Sequence, residues 1–213
     1  TVSALKEDEN EIGEATEADA GSAYIFKNTD GIWSQVKKIV ASDRQWGDQF
    51  GADISISGDY IIVGANNEDE DANGNNTINA AGSAYIFQNI AGNWTQIQKI
   101  AASDRNTNDY FGASVSISGN FLVVGALLEA EDADGNNTIS GAGSAYIFKN
   151  VEGTWTQVQK IVASDRNGFD LFGCSISISG DYIIAGSMND DDDENNANPI
   201  QDAGSAYVFK NNG

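Results

Sequence analysis

Histidine is absent from the whole 213-residue chain, and cysteine, methionine and proline occur once each. Without histidine the commonest general base and transition-metal ligand are gone, and Cys174 alone cannot close an internal disulfide. That thiol sits where other copies of the repeat described below carry Ala52 and Ala113, so it reads as a small buried side chain rather than a reactive group. Basic residues are scarce too, 11 against 32 acidic ones, for a net charge of −21. A phosphate backbone is bound through clustered Lys and Arg, so the expectation is no nucleic-acid partner, and an anionic membrane would repel the chain. No apolar run approaches the roughly 18–20 residues of a membrane span, so the chain reads as soluble, with no membrane insertion. It opens at Thr1 without Met, signal peptide or tag and stops at Gly213 inside a repeat, as a mature product or an excerpt of a longer polypeptide would.

What the chain has in abundance is repetition. The string AGSAYIF at Ala20 to Phe26 returns at Ala81 to Phe87, at Ala142 to Phe148 and, with Val208 for the isoleucine, at Ala203 to Phe209, each time after 61 residues. Trp33, Trp94 and Trp155 keep the same spacing, as do Phe50-Gly51, Phe111-Gly112 and Phe172-Gly173. One supersecondary unit has been copied in tandem, which argues for a single array over residues 1–213.

Within one unit, Gly82 to Asn89 alternates apolar and polar residues as a half-buried strand does. A turn at Gly92 leads to Trp94–Ala101, where Trp94, Gln96, Gln98 and Ile100 share one face and Thr95, Ile97 and Lys99 the other. A turn-rich loop follows, then Ala113–Ser118 with strict serine and β-branched alternation. Gly119-Asn120 supplies the positive φ of a tight hairpin, and the apolar run FLVVGA suits the middle of a sheet buried on both faces. Four short antiparallel strands per unit, with no helical periodicity, describe an all-β blade of a β-propeller better than a sandwich or a solenoid. Counting Ala113–Ser118 as strand one, FLVVGA is strand two, AGSAYIF strand three and the tryptophan strand is strand four.

FG at the start of strand one and GA at the end of strand two (Gly64-Ala65, Gly125-Ala126) resemble the FG-GAP repeat of integrin α-subunit propellers and bacterial surface proteins. AGSAYIF followed by WTQVQKIVASDR is closest to the bacterial secreted members, and the resemblance covers essentially the whole chain. It implies a seven-bladed ring. The sequence supplies fourteen strands, or about three and a half blades, near 1–42 (partial), 43–103, 104–164 and 165–213 (partial). Both partial blades supply strands two and three, so these residues alone do not close such a ring, and either the rest of a longer chain or a second copy completes it.

The connections from strand two to strand three, at 5–19, 66–80, 127–141 and 188–202, hold 21 of the 32 acidic residues. In a propeller they share one rim with the four-to-one connections, and that rim should be intensely negative. Asp69, Asp71 and Asn73 before Gly74 match the opening D-x-D-x-N-G of a calcium loop. The third loop keeps Asp132, Asp134 and Gly135 but has Ala130 at the first position; the fourth has Asp191, Asp193 and Asn195, with Asn196 replacing the glycine. None has a carboxylate at the twelfth position. FG-GAP repeats of the integrin type place calcium between strands one and two, where this chain has only a tight turn, so the resemblance transfers no ligand by position. Calcium in these loops stands against a solvated acidic rim that confers solubility.

The four-to-one loops carry Asp43-Arg44 with Asp48, Asp104-Arg105 with Asp109 and Asp165-Arg166 with Asp170, read as structural corners with each arginine bridging to an acidic loop. Ser55, Ser57, Ser116, Ser118, Ser177 and Ser179 lack the adjacent base a nucleophile requires, and repeated carboxylates look like architecture, so no enzyme is expected. Trp46, outside the period, is a candidate to stack on a sugar or a partner. The composite expectation is a non-catalytic, calcium-stabilised binding or adhesion module, bacterial and extracellular or at the cell surface, with a protein or glycan ligand on the acidic loop face. A carbohydrate-binding lectin-type propeller and a structural spacer or assembly subunit of a cell-surface complex are the competing readings.

Overall fold

The computed structural model describes residues 1–15, 17–193, 195 and 199–211. Fourteen strands run in chain order: β1 (Val2–Ala4), β2 (Ser22–Thr29), β3 (Ile32–Ile39), β4 (Ile54–Ser57), β5 (Tyr60–Ala65), β6 (Ser83–Ile90), β7 (Asn93–Ile100), β8 (Phe111–Ser118), β9 (Phe121–Ala126), β10 (Ser144–Val151), β11 (Thr154–Ile161), β12 (Phe172–Ser179), β13 (Tyr182–Ser187) and β14 (Ser205–Lys210). They form four antiparallel meanders, β1-β2-β3, β4-β5-β6-β7, β8-β9-β10-β11 and β12-β13-β14. These are propeller-type blades: among the described residues the middle two have four strands, the first has no innermost strand and the last no outermost one. No helix occurs among the described residues.

Two strands differ from the sequence expectation. β8 starts at Phe111 rather than Ala113, because Phe111 pairs with Ala126 and Ser114 with Gly125, leaving Gly112-Ala113 as a bulge. The alternation expected along strand four also fails. Gln98 faces Ile86 and Gln96 faces Phe87, so Ile97 is an extra residue that resets the faces. Lys99 consequently joins Trp94 and Gln96 on the face of Tyr85 while Ile100 takes the opposite face with Ala84, and both are buried because the sheet is covered on both sides. Val36 and Val158 occupy the same bulge in their sheets.

The core lies between sheets rather than within them. Phe111 at the start of the third sheet is fully buried and meets Tyr146 and Phe148 of the same sheet edge-on, at 5.5 and 6.1 Å between centroids, and this aromatic face clusters with Ile62, Ala84 and Ile86 of the second sheet. Phe50 and Phe172 repeat the arrangement with Tyr85 and Phe87 and with Tyr207 and Phe209. Burying each such ring contributes about 2–3 kcal/mol. The glycine of GA is required by close approach: a Cβ on Gly64 would lie 1.9 Å from the Gly112 carbonyl oxygen, and one on Gly125 2.1 Å from that of Gly173. Strand two of one sheet thus receives the FG backbone of the next.

Serine gives the innermost strands a second tie. Ser55 Oγ accepts from the Ile117 N–H at 3.2 Å, Ser57 Oγ from Gly119 at 3.3 Å and the Asp53 carboxylate from Val115 at 2.8 Å. Ser116 and Ser118 do the same for Ile178 and Gly180. These N–H groups lie on the strand edge that β9 or β13 does not reach, so the hydroxyls satisfy donors that a bare edge would leave to water.

Candidate functional site: the acidic rim

The two kinds of loop on the rim interlock. Arg105 donates to the Asp69 carbonyl at 2.6 Å and the Asn76 carbonyl at 3.1 Å, and Arg166 to those of Ala130 at 2.5 Å and Asn137 at 3.2 Å. Each arginine therefore clasps the backbone of the neighbouring acidic loop, where the sequence suggested a bridge to it. The corner aspartates hold their own turns: Asp48, Asp109 and Asp170 accept from the backbone N–H of Gln45, Asn106 and Asn167 at 2.5, 2.5 and 2.6 Å. Trp46 projects from the first of these loops, 74% exposed.

Within the acidic loops, Asp69 accepts from the Ala80 N–H at 2.7 Å and Asp191 from the Asp202 N–H at 2.6 Å, pinning the two ends of each loop together. Asp71 accepts from the N–H groups of Asn73 and Asn75 and from the Asn76 amide. Asp132 repeats this with Asp134, Asn136 and Asn137, and Asp193 accepts from the Asn195 N–H. Those bonds hold the Asp71 and Asp132 carboxyls below their ordinary range. Asn73 and Asp134 lie exposed on the same loops. Asn196 lies outside the described residues. The loops are therefore closed by their own aspartates, Asp69 and Asp71 of the second loop bonding to different backbone N–H groups of that loop.

Part of the acid content lies inside the rim, because the first acid of the second, third and fourth loops, Glu68, Glu129 and Asp190, turns inward. Glu68 and Glu129 are fully buried. Lys99 Nζ lies 3.1 Å from Glu68 and 2.8 Å from Asp43, and Lys160 Nζ lies 3.3 Å from Glu129 and 2.8 Å from Asp104. The Tyr85 hydroxyl donates to Glu68 at 2.7 Å, and the Tyr146 hydroxyl lies 2.9 Å from both Glu129 and Asp104. Burial works against the Lys99 charge, but Asp43 and Glu68 carry its pKa above the ordinary lysine value. Burial and the facing Glu68 push Asp48 up to about 7, and burial and Glu129 push Asp109 up to about 8. Sequence reasoning missed these clusters. Their signal was the period itself: Glu7, Glu68, Glu129 and Asp190 are in register, and so are Lys38, Lys99 and Lys160.

Asp104, Glu129 and Glu131 bring carboxylate oxygens within 4.8 Å of one another, close enough to hold a cation. The Lys160 ammonium already sits against two of them, so this group does not fit a metal without displacing a buried lysine. Ser55, Ser57, Ser116 and Ser118 of the innermost strands are engaged across the sheets, and Cys174, half-buried rather than buried, places its Sγ 3.5 Å from the Gly186 carbonyl.

A tandem array of antiparallel blades, packed through apolar faces and close glycine approaches and carrying structured loops on one rim, defines a β-propeller module. The FG-GAP repeat family matches three times, at residues 33–87, 94–148 and 155–209, so the chain belongs to that family. Each match runs from the outer-strand tryptophan of one sheet to strand three of the next and so spans one inter-sheet interface. No curated protein matches the chain.

Proposed function

We propose that the chain is a non-catalytic binding or adhesion module of a secreted or cell-surface protein, presenting its acidic rim to a protein or glycan ligand. The observation that carries this reading is the division among the carboxylates. One set is buried and neutralised by Lys99, Lys160 and tyrosine hydroxyls in every complete sheet, as architecture requires. Another closes the loops, and the remainder, with Asp134 among them, faces solvent from loops held by Arg105 and Arg166. Preorganised loops lower the ordering cost of binding. Calcium is the ion this reading assigns to the rim, through Asp69, Asp71, Asn73, Asp132, Asp134, Asp191, Asp193 and Asn195. Because these loops are already closed, the ion would add to a formed structure rather than create one.

The test is binding of the immobilised chain to bacterial and host cells and to a glycan array, compared with a variant carrying Asp69→Asn, Asp71→Asn, Asp132→Asn and Asp134→Asn. Retention of cells that the variant loses supports the reading. Array hits would move the assignment to a lectin, and absence of any binding would leave the spacer role in its place.

A further inference from the structure

Trp46, 74% exposed, stands in the loop that leads from the first sheet into the second, where the next two copies of the repeat carry Thr107 and Gly168. That turn closes without an indole. In all three copies the backbone N–H of Gln45, Asn106 or Asn167 donates to the corner aspartate, and its side-chain amide donates to an acid of the following loop, Glu70, Glu131 or Asp192. The Gly47 N–H donates to the Ala18 carbonyl at 3.0 Å, and Asn108 and Phe169 make the same bond to Asn79 and Ser140. Trp46 is therefore spare to the architecture: it joins none of the apolar clusters. The turn is bonded to an acidic loop on each side, 5–19 and 66–80, so the indole is exposed with both neighbours in place.

Inside the blades such a ring, set beside carboxylates, holds a cation. Lys99 Nζ lies 5.4 Å from the Tyr85 ring centroid with Asp43 and Glu68 against it, and Lys160 sits over Tyr146 in the same way with Asp104 and Glu129. Indole offers a cation a stronger face than a phenol ring does. At Trp46 the carboxylates are present: Glu70 accepts from Gln45 Nε2 at 2.5 Å, and the exposed Glu17 and half-buried Asp19 border Ala18 in the chain. Among the described residues no lysine or arginine lies over the indole. The surface thus repeats the ring and the acids of the interior without the cation that completes them there.

We propose that Trp46 receives an arginine-bearing segment of a partner protein, the guanidinium lying over the indole and pairing with Glu17, Asp19 or Glu70. The inference deepens the reading of the rim as a ligand face and rests on it. Charge selects the occupant. A planar cation draws on the ring and the carboxylates together, whereas a neutral glycan gains nothing from the charge of the chain and an anionic one is repelled by it. Because the turn is already fixed on both sides, little order is lost when the ring is covered.

The probe is fluorescein-labelled hexa-arginine, titrated with the protein and read by anisotropy against the same peptide built from citrulline, which keeps the planar head without its charge. Saturable binding of the arginine peptide is expected, with at least about tenfold weaker binding of the citrulline one. Trp46→Thr leaves the net charge of −21 unchanged and should weaken binding about three- to tenfold, while Thr107→Ala in the next copy should not alter it. Glu17→Gln and Glu70→Gln should each weaken it by a smaller factor. The peptide comparison keeps the test valid even if a protein variant folds poorly. No anisotropy change up to about 1 mM would overturn the proposal, as would equal binding by the parent and Trp46→Thr, since the attraction would then be diffuse. Equal binding of the citrulline peptide would overturn the assignment to a cation. Cells retained equally by the parent and Trp46→Thr, but lost by the variant with the four Asp→Asn changes, would remove this site and leave the rim reading standing.

Discussion

Trp33 and Trp155 occupy the same position of the same repeat, yet one is 68% exposed and the other 2%. The comparison extends to the sheets around them. Ile86 and Ile147 on the third strand of the middle sheets are buried, while the matching Val208 of the last sheet is 66% exposed. Ser116 is buried under the next sheet, and Ser177, its counterpart, faces solvent. Nearly identical local sequence thus yields opposite burial, because a blade's faces are covered by its neighbours and not by its own strands. Such arrays draw much of their stability from nearest-neighbour interfaces.

That contrast can be broken most forcefully at the tryptophans. Trp155→Ala should cost about 3–5 kcal/mol, whereas Trp33→Ala should stay within about 0.5 kcal/mol of the parent chain; urea unfolding measures both. Next in size are the lysines. Lys160→Ala leaves Glu129 buried without its cation and should cost about 3 kcal/mol. Lys38, whose closest carboxylates lie at 3.8 and 4.0 Å, should cost about 1 kcal/mol when replaced by alanine.

A smaller effect comes from pH. Asp48 and Asp109 keep their protons in the folded chain up to about pH 7 and 8, against an ordinary value of 3.8. Folding therefore takes up protons between about pH 4 and 8, and the melting temperature should fall as pH rises through that window and level off above it. Asp71 and Asp132, whose pKa values are lowered, act in the opposite sense and lose their contribution below about pH 4. Asp109→Asn should flatten the slope between about pH 4 and 8. Smallest is calcium: millimolar calcium against EDTA should raise the melting temperature by about 1–3 °C, and no shift would remove the ion from the rim.

The blades were legible in the sequence because the period fixed which runs are equivalent, so that four copies of AGSAYIF supported one assignment. Strand four was misread where a single bulge residue, Ile97, switched the faces, and no alternation pattern reveals an inserted residue that is itself apolar. The acidic loops were read by their resemblance to calcium loops, and that drew attention to Asp71 and Asp132, whose oxygens bond to their own loops. The buried clusters were overlooked because Glu129, Tyr146 and Lys160 are scattered along the chain and meet only when strands two, three and four pair. The serines, judged only as nucleophiles and set aside, hold the innermost strands together.

The claim that neighbouring sheets determine what is protected is tested most directly by residue-resolved amide hydrogen exchange. Ile117 and Ile178, whose N–H groups are held by Ser55 and Ser116 of the preceding sheet, should exchange orders of magnitude more slowly than Ile56, the same position on β4, which has no strand beside that edge among the described residues. Similar rates at Ile56, Ile117 and Ile178 would show that each sheet protects itself and would contradict the account.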